Sequence, residues 1–202
     1  PDPIAAWEGK TTAQRLDELT SLDSRLILSW SDQWVGASNA AKGGVPFKWA
    51  TDSSNLSTAQ KALLGKQSSD TSATVATKGE NILNYLRGDR SLEGGTTDKP
   101  FRVRSSRQGD IVNSDIWYTG TPISNLSLSG YSDFAKAQKN RTPMLYVGGN
   151  DGMLHGFSAQ DGKEKIAYVP RGVIADLKNL TDPNYQHRYY VDGTPEVADA
   201  YF

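Results

Sequence analysis

Apolar residues at the start of the chain first repeat with the spacing of a helix and then form continuous runs. Leucines three residues apart follow a capping-box pattern, Thr11-x-x-Gln14, and predict a short helix over about 12–22. The next run, 25–30, holds Leu, Ile, Leu and Trp and predicts a strand. Two glycines precede a second apolar run, 45–49, which predicts another strand.

Two more capping boxes predict helices further along the first half. One begins at Ser57 and predicts a helix that ends near Gly65. The other begins at Thr77 and predicts a helix that ends before Gly88, because a left-handed glycine commonly closes a helix. The stretch between them, 66–77, is rich in Ser and Thr and poor in apolar residues, so we expect it to be a mobile loop.

The second half changes to short strands joined by tight turns. The apolar runs 144–148 and 153–157 are separated by Asn-Asp-Gly, residue types that tolerate the positive φ of a type I′ turn. Asp161 and Gly162 form the next turn, and 165–169 predicts a third strand. These elements predict an antiparallel meander.

Weaker signals surround the meander. They predict strands over 110–120, 188–191 and 196–202, and one helix over 173–180. Residues 114–118 align with 198–202, a spacing of 84 (198 minus 114). Propeller blades usually repeat every ~40–50 residues, so two insertions would account for the excess.

Composition narrows the class of protein. The chain has 202 residues with 22 basic and 23 acidic side chains, which argues against a dedicated nucleic-acid binder. No apolar run approaches the roughly 20 residues that span a bilayer. The lack of cysteine excludes a disulfide scaffold and a thiolate metal site. The chain begins at Pro1 without a methionine, and we expect it to be a segment of a longer protein.

Five motifs in a fixed order resemble one family of bacterial proteins. They are Asn84-Tyr-Leu-Arg-Gly-Asp-Arg-Ser91, Phe101-Arg-Val-Arg-Ser-Ser106, Gly109-Asp-Ile-Val-Asn-Ser114, Met144-Leu-Tyr-Val-Gly-Gly-Asn-Asp-Gly-Met-Leu-His-Gly-Phe157 and Tyr190-Val-Asp-Gly-Thr-Pro195. Their order and spacing resemble the PilC/PilY family of type IV pilus tip-associated biogenesis and adhesin proteins. The resemblance is strong over about 80–202 and weak over 1–79, where it is carried by residues 5–16 and 25–49. It departs after Ser114, where the family has Ser-x-Pro and this chain continues Asp-Ile-Trp.

The resemblance implies a fold that is mainly β with minor α, a partial β-propeller of the quinoprotein-like type. Residues 1–100 would form a mixed segment of helices, strands and loops. Residues 101–202 would form the first blade and the start of a second, so that the propeller is truncated. An open propeller leaves sheet faces and edges uncovered, so we expect this segment to associate with the missing blades or with another chain.

The resemblance also implies a function without catalysis. It implies pilus biogenesis, twitching motility, surface adhesion and virulence through protein–protein binding, at the cell surface, at the pilus tip or on the outer membrane. The implied partners are minor pilins, the pilus tip and a host-surface receptor, with no nucleic acid and no membrane span. Two alternatives stay open at this stage: a quinoprotein-like propeller enzyme, whose turns look similar, and a periplasmic propeller scaffold.

One tripeptide is a candidate receptor-binding site. Arg87-Gly88-Asp89 has the sequence that integrins recognise, and family members act as adhesins. A structural interpretation stands beside it, in which Gly88 caps a helix and its neighbours lie at the polar end. The two interpretations are compatible if the cap is exposed.

The remaining chemistry-bearing residues favour structural roles. The stretch 99–107 holds four basic and no acidic residues and suggests either a polyanion contact or a charged sheet edge, with Arg102 and Arg104 on one strand face. His155 is expected to be a hydrogen-bonded structural histidine, since no metal-ligand spacing surrounds it. We expect no catalytic, cofactor or metal residues here. The resemblance implies a calcium loop elsewhere in the full-length protein, and the alternating acidic pattern that calcium requires is missing from this chain.

Overall fold

A six-stranded sheet forms the centre of the computed structural model, which describes residues 7–34, 43–50, 55–65, 71–122 and 127–200. The sheet order is β2-β1-β6-β5-β4-β3. Only β1 and β6 pair in parallel; the other neighbours are antiparallel. The strands are β1 (Ile27–Trp30), β2 (Gly44–Pro46), β3 (Trp117–Thr119), β4 (Met144–Gly149), β5 (Met153–Ser158) and β6 (Glu164–Tyr168).

Four α-helices and four 3₁₀ turns accompany the sheet in the described part of the chain. The helices are α1 (Thr12–Asp17), α2 (Thr58–Gly65), α3 (Ser72–Leu86) and α4 (Tyr131–Ala137). The 3₁₀ turns are Leu22–Ser24, Asp32–Trp34, Arg171–Val173 and Leu177–Thr181. The capping boxes predicted at the starts of α1 and α2 are both formed by reciprocal hydrogen bonds. The helix predicted over 12–22 is shorter than expected, since it ends at Asp17.

The expected loop over 66–77 is wrong for residues 72–77, which form the first turns of α3. Thr71 begins this helix, and its hydroxyl accepts a hydrogen bond from the backbone N–H of Thr74. Thr74 and Thr77, two of the side chains that suggested a loop, lie on the solvent side of the helix, where they need no apolar partner. Residues 66–70 lie outside the described part of the chain.

The predicted meander is confirmed, while several of the weaker elements around it are wrong. Strands β4, β5 and β6 follow each other through the two predicted turns. The helix predicted over 173–180 is replaced by two 3₁₀ turns. Only three residues of 110–120 form a strand, and 188–191 and 196–200 form none. Residues 201–202 lie outside the described range. Arg102 and Arg104 do not lie on a strand, because only an isolated bridge forms at Phe101.

The main hydrophobic core joins both halves of the chain. Leu64 from α2 and Leu83 from α3 pack in the same cluster as Ile27 of β1, Met153 of β5 and Ala167 of β6. The sheet likewise combines two strands from the first half with four from the second. The boundary predicted near residue 100 stays a prediction, since a shared core does not define a domain limit.

The opposite side of the sheet carries a second apolar surface, which we call the open face. Cross-strand pairs place Trp117, Tyr146, Gly156 and Ile166 on this side. Tyr146 and Ile166 are only half-buried, and Trp117 is 36% exposed. The open face therefore differs from the core face, where Phe157 and Met153 are fully enclosed.

The segment after residue 186 runs in the same direction as residues 110–115. His187 contacts Asp110, and Asp192 accepts a hydrogen bond from the backbone of Asn113. The backbone N–H of Asp115 donates to the Thr194 hydroxyl at 3.0 Å. Each of these contacts involves at least one side chain, so the segment packs against residues 110–115 without the backbone pairing of a β-sheet.

This docking requires a glycine at position 148. A Cβ atom there would overlap the backbone carbonyl oxygen of Val191. We expect Gly148→Ala to push the segment 187–195 away and to lower the free energy of unfolding by about 1–3 kcal/mol. Urea denaturation measures the loss, and hydrogen exchange locates it at residues 190–194.

Gly172→Ala is the matched control, because a Cβ at that glycine meets no atom within 4 Å. It should leave both measurements near their wild-type values. Equal effects of the two substitutions would contradict the close approach at Gly148.

Candidate functional site

Helix α3 ends in the Arg-Gly-Asp tripeptide through a Schellman motif. Gly88 has a φ of +115°, a backbone conformation that residues with a Cβ rarely adopt. Its N–H donates to the carbonyl of Tyr85 at 2.8 Å, and the Asp89 N–H donates to the carbonyl of Asn84 at 2.9 Å. The capping role predicted for Gly88 is thus confirmed.

The backbone carbonyls of residues 87–89 each accept a hydrogen bond from an arginine. Arg25 donates to the first carbonyl at 2.6 Å, Arg107 to the second at 2.9 Å and Arg104 to the third at 2.8 Å. Such carbonyls at the end of a helix carry partial negative charge and attract cations. The basic stretch therefore serves largely inside the molecule, in contacts with the end of α3.

The side chain of Arg87 points into the protein. It is buried and donates to the carbonyls of Phe47 at 2.8 Å and Leu22 at 3.0 Å. Burial is the main cause that lowers the pKa of Arg87. Asp89 is half-buried and accepts a hydrogen bond from the backbone of Ser91. Receptor recognition by this tripeptide stays a prediction, and it would require Arg87 to leave these contacts.

Four charged side chains, which are buried or largely buried, extend from this helix end into the sheet. We call them the charge chain: Arg25, Glu164, His155 and Asp151. Arg25 donates to both carboxylate oxygens of Glu164, at 2.7 and 2.8 Å. His155 Nδ1 lies 2.8 Å from Glu164 Oε1, and Nε2 lies 3.0 Å from Asp151 Oδ2. Because both ring nitrogens face carboxylates, both carry a proton, and the chain balances two cations against two anions.

The protonation states follow from these contacts. Burial alone would lower the pKa of His155, but Asp151 and then Glu164 outweigh it and raise the pKa to about 9. Burial alone would raise the pKa of Glu164, but Arg25 and His155 lower it to about 2. The pKa of Asp151 is also lowered, chiefly by His155 working against burial. The expectation of a hydrogen-bonded structural histidine at position 155 is confirmed.

The Asn-Asp turn between β4 and β5 also binds two distant segments, residues 109–110 and the backbone at residue 190. We call this arrangement the polar clasp; it consists of Gly109, Asp110, Asn150, Asp151 and Tyr190. Asn150 donates to Asp110 from its backbone at 3.0 Å and from its side chain at 3.1 Å. It accepts from the backbone of Tyr190 at 3.2 Å. Asp151 accepts from the backbone of Gly109 at 2.9 Å. Sequence reasoning assigned these two residues to a turn alone and missed this second role.

Residues 108–202 match the family model of the PilY1 beta-propeller domain. Three of the five motifs that suggested the family meet in the polar clasp. The chain belongs to the PilC/PilY family.

Relatives agree with this assignment. The chain is 48% identical over 134 residues to a type IV pilus biogenesis factor PilY1 homolog of Xylella fastidiosa, covering 63% of this chain and 11% of that protein. It is 41% identical over 178 residues to the type IV pilus biogenesis factor PilY1 of Pseudomonas aeruginosa strain PAK, covering 82% of this chain and 14% of that protein. The chain thus spans a small part of these relatives. No solved structure matches it.

The predicted fold class is confirmed for this PilC/PilY segment, whose sheet is that of a partial propeller. No helix in the described ranges is long and apolar enough to cross a membrane. Among those same residues, no group of three or more His, Asp or Glu side chains is placed to hold a metal ion. The absence of a cofactor and the calcium loop elsewhere in PilC/PilY proteins both stay predictions.

The charge chain predicts how the stability of this PilC/PilY segment depends on pH. The pKa of His155 is raised on folding, so its contribution is complete below 6.5 and is lost as pH rises towards about 9. The pKa of Glu164 is lowered on folding, so its contribution is complete above 4.5 and is lost as pH falls towards about 2. Urea denaturation between pH 2 and pH 9 should therefore show maximal stability between pH 4.5 and pH 6.5.

Two variants test the predicted loss of stability between pH 6.5 and about 9. His155→Gln should remove the loss of stability between pH 6.5 and about 9, because no imidazolium remains there to titrate. His187→Asn should not change the loss of stability over this interval, since His187 is partly exposed and lies outside the charge chain. A flat wild-type profile over this interval would contradict a protonated His155.

Loss of the central carboxylate should be costly. Glu164→Gln removes the carboxylate that lies between Arg25 and the His155 imidazolium and leaves Asp151, on the far side of the ring, as the one carboxylate of the charge chain. We expect this change to lower stability by about 3–5 kcal/mol. Lys165→Gln is the control, because its ion pair with Asp161 spans 3.7 Å on the surface and should contribute at most about 1 kcal/mol. Chemical denaturation at pH 6 compares them, and equal losses would show that the charge chain is not essential.

Proposed function

We propose that this chain acts in type IV pilus biogenesis as the beginning of a propeller, through protein–protein binding and without catalysis. The observation that carries the proposal is its 41% identity over 82% of its length to a type IV pilus biogenesis factor. The whole protein would act at the cell surface or pilus tip, with minor pilins as partners. Adhesion and twitching motility would follow from the same surface location.

The geometry supports binding over turnover. His155 is fully buried between two carboxylates, so its ring nitrogens have no access to a substrate. His187 is held by Asp110 at 2.7 Å. His155, one of the two histidines, is thus engaged in contacts that hold the fold together, whereas His187 is partly exposed.

The open face is the surface that supports association with other blades or another chain. Its half-buried aromatic and aliphatic residues resemble one side of a sheet interface, and sheets bury such faces against a partner. The strand β3 at the edge of the same face has only aromatic residues and threonine, without the charges that commonly protect an edge.

Deletion and complementation test the pilus role. In the bacterium that carries this protein, loss of the full-length protein should reduce surface pili, as counted by electron microscopy, and wild-type complementation should restore them. Normal piliation in the deletion strain would contradict the proposal.

A surface variant tests the open face. We expect Trp117→Ser in the full-length protein to restore fewer pili, because Trp117 contributes apolar area at the uncovered edge of the sheet. Leu63→Ser is the control, since Leu63 is 43% exposed and lies on α2 rather than on the sheet. The 202-residue chain should unfold at a similar urea concentration in both variants. Equal restoration by both would contradict a role for this face.

Adhesion through the tripeptide has its own test. If Asp89 contacts a receptor, Asp89→Glu should reduce binding of the full-length protein to immobilised integrin, since the longer side chain moves the carboxylate. Asp98→Glu is the control, because Asp98 is exposed outside the tripeptide. Unchanged binding of the Asp89 variant would exclude recognition through this motif.

A further inference from the structure

A small cleft opens beside the end of α3, between the basic stretch and the segment that follows the last 3₁₀ turn. Its volume is about 160 Å³. Its charged and aromatic lining consists of Tyr85, Arg102, Arg104, Arg107, Asp110, Asp151, Tyr185 and His187. We call it the arginine cleft. Its residues come from the basic stretch, the polar clasp and the aromatic segment.

Two charges of the arginine cleft, on Arg104 and Asp151, have a partner of opposite sign. Arg104 pairs with Glu93 at 2.7 Å. Asp151 belongs to the charge chain, and Asp110 Oδ2 lies 2.7 Å from His187 Nε2. Arg104 and Asp151 therefore leave little unbalanced charge for a ligand.

Arg102 differs from them. No carboxylate pairs with it within the residues that the structure describes. Its Nε donates to the carbonyl of Leu180 at 3.1 Å, and its guanidinium carbon lies 4.5 Å from the ring centroid of Tyr185. These two contacts orient the guanidinium but do not neutralise it.

Arg107 adds to the positive charge. Its guanidinium donates to the backbone carbonyls of Gly88, Leu16 and Asp17. The nearest acid, Asp17, accepts from the backbone N–H of Arg107 rather than from its guanidinium. The cleft therefore has a positive side formed by two arginines that backbone and aromatic contacts hold in place.

A guanidinium in a fixed orientation is suited to planar recognition of an oxyanion. Its parallel N–H groups match the two oxygens of a carboxylate, or two oxygens of a phosphate or sulfate. We propose that the arginine cleft binds the anionic group of a small ligand, with Arg102 as the direct contact and Arg107 supplying electrostatic attraction. This site is independent of the open face and does not rest on the pilus role.

Isothermal titration of the 202-residue chain with phosphate, sulfate and acetate tests the proposal, at constant ionic strength set with chloride. We expect saturable binding with one site per chain for at least one anion, with a Kd on the order of 1 mM. The order of affinities separates a carboxylate ligand from a phosphate or sulfate ligand. The absence of saturable heat with all three anions would overturn the proposal.

Arg102→Gln should weaken binding at least about tenfold, because it removes the charge-assisted contact. Arg171→Gln is the matched control: Arg171 pairs with Asp32 at 3.3 Å and does not line the cleft, so affinity should stay unchanged. Wild-type affinity in Arg102→Gln would overturn the assignment.

Arg102→Lys keeps the charge and the long side chain but loses the planar fork, so it provides a test even if the Gln variant does not fold. We expect affinity to fall several-fold, with a thermal midpoint close to that of the wild type. Wild-type affinity in this variant would overturn recognition by the guanidinium plane.

Discussion

The structure depends on one buried imidazolium. His155 lies between two carboxylates in the interior, and the second of these, on Glu164, also binds Arg25. A buried charge without its partner costs several kcal/mol, so these side chains must be placed together or not at all. That requirement ties the β4–β5 turn, strands β5 and β6, and Arg25, which lies two residues before β1, into one unit.

The charge chain continues into the arginines around the end of α3. Arg25 reaches the Arg87 carbonyl, and Arg104 and Arg107 bind the next two carbonyls. The Arg-Gly-Asp tripeptide is therefore part of the packing of the sheet as well as a helix cap. Any change that exposed Arg87 would also disturb its contacts with Phe47, the residue that follows β2, and with the 3₁₀ turn before β1.

The polar clasp shows how a tight turn can organise longer segments. Asn150 and Asp151 close the β4–β5 turn, and their side chains also fix residues 109–110 and the backbone at Tyr190. Those contacts carry the chain across the sheet beside Gly148 towards the uncovered edge. The fold thus presents one enclosed face, which stabilises the segment, and one open face, which is the surface that we propose for association with further blades or chains.

Local sequence was sufficient for features whose determinants lie within a few residues. The Asn-Asp-Gly turn, the meander, the capping boxes at Thr11 and Ser57, and the glycine cap at position 88 were all predictable because turn and cap chemistry acts over short distances. Motif order was enough to identify the family. The start of α3 was missed, because exposed polar side chains give the same pattern in a loop and on the outer side of a helix.

Only the tertiary structure decided three further features. It paired Arg25 with Glu164 across 139 positions, directed arginines of the basic stretch to the backbone carbonyls at the end of α3, and docked residues 187–194 through side-chain contacts. These outcomes depend on which distant groups meet when the core is buried, and a charge or polar group finds its partner only after the chain has folded.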